Sequence, residues 1–458
     1  MSLPRMISPS GPPRTIWPAV LLLLGLLIAA VVGLYFTEMP GEMSIVLALG
    51  LIPGLLVTIA VLRNPFLSLL LVFVFTYFRP QDNLGALKPL HLPLVTSAGA
   101  FALFMLSVIF DSKRRLHWSS GMSFLTGILV LMFISIFTSS NNYWAFQFFR
   151  GTLTTVMFSF LILNLIDSFD RMRYVIGIMV IAHCYLCFKG IRNFVTGGGT
   201  TGYVGSSFLG DENDFALALI VIFPFVFFSL QRTLSRKGKT LWGMAAALIL
   251  TSIMLTMSRG GFVGIAATLG FMWLVSPNKM RNAAILVFMI IVVAVLAPAE
   301  YYEEIGSIKN TDQGTAHLRR EYWKAGLRMY AEHPLIGVGP ANCGFLLPIY
   351  MDVPNANQKW GRALHGTLPQ LMAEMGTIGL FLYGGLFLVS MRAVRLMRRI
   401  KVPPEEREYV DYLSLALMAS MIGYVVTSTF LSTLYYPHIY VIAALVAAAF
   451  KLTLQVRV

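Results

Sequence analysis

The sequence predicts an all-α polytopic membrane protein, and three observations predict it. Apolar stretches long enough to cross a bilayer recur from one end of the 458-residue chain to the other. Lipid offers no partner for an open strand edge, so segments this apolar cross as helices. The basic residues then orient the bundle. With about fourteen spans and the N-terminus inside, 22 of the 35 Lys and Arg fall on the inner side and 13 on the outer. Seven of those 13 lie in one loop, 299–365, too long to count in the positive-inside rule, which leaves 22 against 6. Both termini are expected to be cytoplasmic.

The spans are expected at 16–36, 44–62, 65–78, 92–110, 121–138, 150–166, 172–190, 213–230, 239–256, 260–275, 281–298, 366–391, 410–433 and 436–451. The first is too long for a signal-peptide core and lacks a cleavage site, so it stays as an anchor. The third is short enough to be tilted or partly re-entrant. Inner connections carry Lys113-Arg114-Arg115, Arg232 to Lys239 and Arg392 to Arg407. Four regions follow: an N-terminal membrane part (1–190), a membrane core with an outer arginine turn (191–298), a long outer loop (299–365) and the C-terminal helices (366–458).

Composition excludes some partners. With 57% hydrophobic and 12% charged residues, the chain is too apolar for a soluble core of its length. A net charge of +14 would ordinarily raise nucleic acid, but the inner share is clustered where anionic headgroups lie. Membrane lipids are the expected partner and nucleic acid is not. Cys184 and Cys187 form a C-x-x-C inside an apolar span, where such thiols are packing residues, and Cys343 stands alone in the long loop.

Three outer features interrupt the apolar pattern. The first runs from Thr196 to Asp214, with Gly197-Gly198-Gly199 followed by Asp211, Glu212, Asn213 and Asp214 at the mouth of a span. One of these acidic or amide groups is explained by capping the helix start; four are more than a cap needs. The second is Ser258-Arg259-Gly260-Gly261. An arginine in so tight a turn either snorkels to the headgroups or clamps a phosphate with paired N–H donors, and both readings stand at this point.

The third is the long loop. From Thr315 to His333 it reads as an amphipathic helix, with Leu318, Tyr322, Ala325 and Met329 on one face and Arg320, Lys324 and Arg328 in a basic row on another. Such a helix ordinarily lies on headgroups. Pro334 ends it and Gly337-Val338-Gly339-Pro340 makes a tight turn. The loop closes on His365, with Thr367 as the expected N-cap of the next span and Pro369 within its first turn. The free N–H groups there attract an anion, and His365 sits beside them as either a polar tip in a wet layer or a working base.

Arg319-x-x-x-Trp323, His333-Pro334-Leu335-Ile336-Gly337-Val338-Gly339 and His365 with Gln370, Glu374, Gly376 and Gly379 together resemble the signature of the bacterial O-antigen ligase and polymerase superfamily. The Ser258–Gly261 turn is similar to that family's outer arginine turn, and Asp211-x-Asn213 to its asparagine motif. Tyr77-Phe78-Arg79-Pro80-Gln81 is similar to the subgroup of exosortase-associated O-glycosylation ligases. The resemblance covers roughly residues 200–435.

What the resemblance implies is glycan transfer on the periplasmic face of a bacterial inner membrane. The donor is a saccharide on undecaprenyl diphosphate, and the acceptor is a hydroxyl on lipid A core, a protein or another glycan. Arg259 and Arg319 are the expected diphosphate clamps, with Arg320 competing for the second position, and His365 is the expected general base. Arg79, Gln81, Asp211, Asn213, Gln370 and Lys324 are the further substrate-binding candidates. No cofactor and no metal site are expected; Asp211, Glu212 and Asp214 are the one cluster close enough to consider. A polysaccharide polymerase would use the same donor chemistry. A transporter of lipid-linked solutes, or a scaffold for an export machine, fits the span count but needs neither His365 nor one-sided arginines.

Overall fold

A computed structural model describes residues 64–80, 91–110, 115–198, 207–276, 279–280 and 315–458. The expected spans 16–36, 44–62 and 281–298, together with Gln81, Gly199, Lys113-Arg114 and the stretch 299–314, lie outside the described residues. Within them the chain is all-α, with no strand.

The helices are α1 (Pro65–Phe73, continued by a π-helical turn, Val74–Phe78), α2 (Leu92–Phe110), α3 (Ser120–Thr138), α4 (Asn142–Leu165), α5 (Phe169–Asn193), α6 (Glu212–Arg232), α7 (Arg236–Leu255), α8 (Arg259–Val275), α9 (Thr315–Glu332), α10 (Cys343–Tyr350), α11 (Thr367–Met397), α12 (Pro404–Ser428) and α13 (Pro437–Gln455). Among the described residues nine of these elements are long and apolar enough to cross a membrane, while Pro65–Phe78 and α8 are apolar but shorter. The protein is therefore a multi-pass membrane protein.

Side-chain caps set many of the helix starts. Asn141, Ser168, Asp211, Ser235 and Ser258 each accept a hydrogen bond from a backbone N–H of the first turn. Several helices run beyond the apolar stretch that announces them. Helix α4 starts at Asn142 rather than 150, and α11 continues to Met397 rather than 391, because a helix persists into the headgroup layer where polar side chains are solvated. In the other direction, the span expected to reach 433 ends at Ser428, and residues 429–436 form a loop.

Helix α6 is the centre of the bundle and is buried without interruption from Asp214 to Phe228. Helix α12 packs against α6 and α8, α13 against α4, and α11 against α3. The α8–α12 contact depends on small residues. A Cβ on Gly264 would lie 1.8 Å from Thr427 Oγ1, and one on Gly423 would lie 2.5 Å from Thr268 Oγ1. Close approach of this kind is how helices associate in lipid, where apolar burial gives no preference for a neighbour helix over lipid chains.

The long loop has its own small core. Tyr322, Ala325 and Met329 of α9 pack with Val338, Cys343, Leu347 and Leu364, and Leu318 lies against the same cluster. The expected apolar face of α9 is thus buried against protein. Arg320, Lys324 and Arg328 are exposed on the other side.

The connections segregate to two ends. At one end Asn141 meets Asn342, Ser258 meets Asn213, and His365 meets Ser432. At the other, His117 meets Asn164, Arg232 meets Glu408, and the Val458 N–H reaches the Lys401 carbonyl. The Arg259 turn and the long loop therefore share one end, remote from Arg232 and the 398–407 run.

Candidate functional site

The loop reaches the bundle through a break in α11. Gly376 has φ 60° and ψ −157°, which interrupts the helical ladder and frees carbonyls before it and N–H groups after it. The Pro334–Gly339 turn satisfies both sets. Val338 and Gly339 donate their N–H groups to the Ala373 and Glu374 carbonyls (2.8 and 3.1 Å), while Thr377 and Ile378 donate to the Pro334 and Leu335 carbonyls (2.8 and 3.1 Å). Gly337 lies in the left-handed region with φ 70°, and a Cβ there would fall 2.4 to 2.5 Å from the Ala373–Met375 backbone. The HPLIGVG string and the Glu374-x-Gly376 string are two halves of one joint.

Glu374 ties that joint together. Its side chain is fully buried and accepts from the Cys343 N–H (3.4 Å), Gln370 Nε2 (3.3 Å) and the Tyr435 hydroxyl (2.5 Å). A buried carboxylate without such donors would be costly. Gln370, expected to bind substrate, is itself buried and engaged with Glu374. Burial and the Glu374 charge push the Cys343 thiol well above its ordinary range, which makes it inert. Cys184, Cys187 and Cys343 are all free.

His365 stands at the end of this assembly. Its backbone is left-handed (φ 53°), its N–H donates to Ser432 Oγ (3.1 Å), and its carbonyl accepts from Trp323 Nε1 (3.3 Å). Its ring stacks on Tyr322 with centroids 6.2 Å apart. Gly366, and not Thr367, caps α11; the Thr367 hydroxyl donates instead to the Leu431 carbonyl at 2.6 Å, fastening the 429–436 loop beside the histidine.

The charges around His365 are coupled. Burial lowers its pKa below the ordinary imidazole value, the positive charge of Arg319 lowers it further, Asp211 opposes the shift, and Arg362 adds to it. Arg319 is half-buried; burial and the neighbouring charge of Arg259 together loosen its proton. Arg319 of α9 thus lies within electrostatic reach of Arg259 at the start of α8 and of His365 at the loop end, and His365 in turn within reach of Asp211, the α6 cap. Arg362 belongs with them and carried no motif in the sequence.

The remaining candidates fall into two groups. Asn213 accepts from Ser258 Oγ (2.8 Å), so it locks the Arg259 turn to the start of α6, while the Asp211 side chain caps α6 through the Asp214 N–H (2.8 Å). Arg79 is left-handed (φ 49°), with its guanidinium carbon 5.4 Å from the centre of the Phe208 ring. Phe208 in turn meets Tyr436, whose hydroxyl donates to Asp214 (2.7 Å). Lys324 pairs with Glu321 (2.8 Å) on the exposed side of α9, and Arg320 is exposed as well. Among the described residues no group of three or more His, Cys, Asp or Glu is arranged to hold a metal ion.

Residues 244–384 match the O-antigen ligase family, and residues 45–234 match a family of unknown function. No curated protein matches the chain. The first match contains Arg259, Arg319, His365, Gln370 and Glu374, and the second contains Arg79, Gln81, Asp211 and Asn213. Ser432, Tyr435 and Tyr436, which fasten the site from the C-terminal side, lie beyond both.

Proposed function

We propose that this chain, whose residues 244–384 match the O-antigen ligase family, is a membrane glycosyltransferase that moves a saccharide from undecaprenyl diphosphate to an acceptor hydroxyl, at a site formed by Arg259, Arg319 and His365 on the periplasmic face of the inner membrane. The observation that carries this reading is the juxtaposition of two arginines beside a half-buried histidine. Two like charges held near each other raise the local positive potential, and a diphosphate is an anion that such a potential attracts.

Each residue then has a step. His365, kept neutral by its surroundings, takes the proton of the acceptor hydroxyl as that oxygen attacks the anomeric carbon. The bond from the anomeric carbon to the diphosphate oxygen breaks, and undecaprenyl diphosphate leaves with the electron pair. Arg259 and Arg319 stabilise the charge that gathers on the leaving oxygen with their planar N–H donors. Direct displacement inverts the anomeric configuration. Two guanidinium groups supply the positive charge that a divalent cation supplies in many nucleotide-sugar transferases, so the reaction is proposed to be metal-independent.

Reconstitution with a lipid-linked oligosaccharide tests this. Release of undecaprenyl diphosphate with transfer to one of a panel of acceptors (lipid A core, a protein, a glycan) is expected to proceed in EDTA without nucleotide. Loss of transfer in EDTA, restored by a divalent ion, would point instead to Asp211, Glu212 and Asp214 as ligands. Labelling of single cysteines placed at 259 and 365 with an impermeant reagent is expected to modify both from the periplasm; modification from opposite faces rules out a common site.

A further inference from the structure

We propose that the groove between α5, α6, α7 and α12, at the end remote from His365, holds a zwitterionic phospholipid, with its phosphate on Arg232 and the Tyr409 hydroxyl and an acyl chain running along Gly177, Ile181 and Leu241. The groove measures about 860 Å³, within the ~300–1,000 Å³ typical of small-molecule sites. It opens sideways: Ile181 and Leu241 line it and are 45% and 67% exposed, on helices long and apolar enough to face lipid. Gly177 has open space where a side chain would project.

The mouth of the groove is polar and incompletely satisfied. The Arg173 guanidinium lies 4.2 Å from the centre of the Tyr409 ring, and that of Arg232 lies 5.9 Å from Tyr409 and 5.6 Å from Tyr412. Tyr412 has partners in Ser229 Oγ (3.0 Å) and the Phe225 carbonyl (3.2 Å). The Tyr409 hydroxyl, on a residue only 7% exposed, and Nη1 of Arg232 are buried and have no hydrogen-bond partner among the described residues. A buried donor left unmet is costly. Glu406 Oε2 and Asp411 Oδ1 are buried without a hydrogen-bond partner among the described residues as well; the Arg232 side chain is 29% exposed, and a small turn of it and of the Tyr409 hydroxyl toward the mouth would give both donors a phosphate oxygen.

The carboxylates narrow the headgroup. Asp170 pairs with Arg173 Nη1 (2.6 Å), Glu406 lies 3.8 Å from Arg173 Nη2, and Glu408 pairs with Arg232 Nε (3.0 Å). Three carboxylates beside two arginines do not suit a polyanion. They suit a phosphodiester that brings its own ammonium group, which the exposed Glu408 and Asp170 can receive.

Trp242 lines the same groove and reports its contents. The full-length protein in nanodiscs of phosphatidylglycerol is titrated with phosphatidylethanolamine carrying brominated chains, and the quenching lost on Trp242→Phe is taken as the groove signal. Saturation at a low mole fraction of the brominated lipid is expected, with brominated phosphatidylglycerol weaker. Arg232→Gln is expected to weaken it about tenfold or more, the loss of one charge-assisted hydrogen bond. Gly177→Leu fills the chain path without touching a charge and is expected to abolish the signal, which keeps the test open if Arg232→Gln does not fold. Quenching that follows bulk mole fraction, shows no preference for phosphatidylethanolamine, or is indifferent to Gly177→Leu overturns the proposal.

Discussion

The two ends of the bundle use arginine in opposite ways. At the end away from His365, arginines meet carboxylates: Arg171 with Asp167 at 2.6 Å, Arg173 with Asp170 at 2.6 Å, Arg232 with Glu408 at 3.0 Å and Arg407 with Asp411 at 2.9 Å. At the His365 end, Arg319 is half-buried and its charge neighbour is another arginine, Arg259. Paired arginines are finished structure, fastening helix ends to one another. An arginine beside an arginine raises the local positive potential, which attracts an anion. Counting basic residues on each side orients the chain but cannot tell these two uses apart; their nearest charged neighbours can.

The largest break in that contrast is expected at His365. His365→Ala should leave donor binding nearly intact and cut turnover by roughly 10²–10⁴-fold, the usual worth of a general base. A transporter has no acceptor step to impair and would show no such split. Near-normal transfer by a folded His365→Ala protein would make the histidine a polar residue of the interface.

Adjacent arginines on α9 sharpen the contrast within one helix. Arg319→Lys keeps the charge and loses the planar fork, so donor binding and turnover should both fall, by about tenfold or more. Arg320→Lys, on the exposed side, should change either by much less. Equal losses at the two positions would remove the geometric basis for choosing Arg319.

A pH profile reads the same coupling. Burial and Arg319 hold His365 below its ordinary pKa in the free protein, so the neutral base persists, and kcat/KM is lost only as pH falls well below about 6.5. A diphosphate between the arginines offsets the Arg319 charge, raising the His365 pKa in the complex. The acid limb of kcat should therefore lie at higher pH than that of kcat/KM. The smallest effect is expected at the paired end: Arg407→Ala removes an ion pair and two carbonyl contacts, to Ile400 and Arg398, yet should alter stability by only about 1 kcal/mol or less and leave transfer unchanged.

Much of the fold was legible because lipid leaves few choices. The span expected at 92–110 coincides with its helix, and those expected at 121, 213 and 260 each begin one residue late. Hydropathy marks the apolar middle of a helix and is blind to polar ends, hence the misplaced boundaries at Asn142 and Met397. The α9 periodicity separated a buried face from the exposed Arg320-Lys324-Arg328 row, and Arg319 falls between the two. The break at Gly376 was not legible: α11 holds several glycines, and only the fit of the Pro334–Gly339 turn into this one distinguishes it. Glu374 gave a usable signal as a lone carboxylate in an apolar span, and its anchoring role emerged from its three donors. Arg362 and Ser432 gave none, since nothing local marks a residue that matters through a contact made far along the chain.

The most direct test of the central claim, that Arg259 and Arg319 hold one diphosphate, is a double-mutant cycle on donor binding. Undecaprenyl diphosphate affinity is measured for the protein as it stands, Arg259→Lys, Arg319→Lys and the double variant. If both arginines hold the same group, the double loss departs from the sum of the single losses by at least about 0.5 kcal/mol, the lower bound for residues sharing a partner. Additive losses within ~0.3–0.5 kcal/mol, as for distant independent sites, would contradict it.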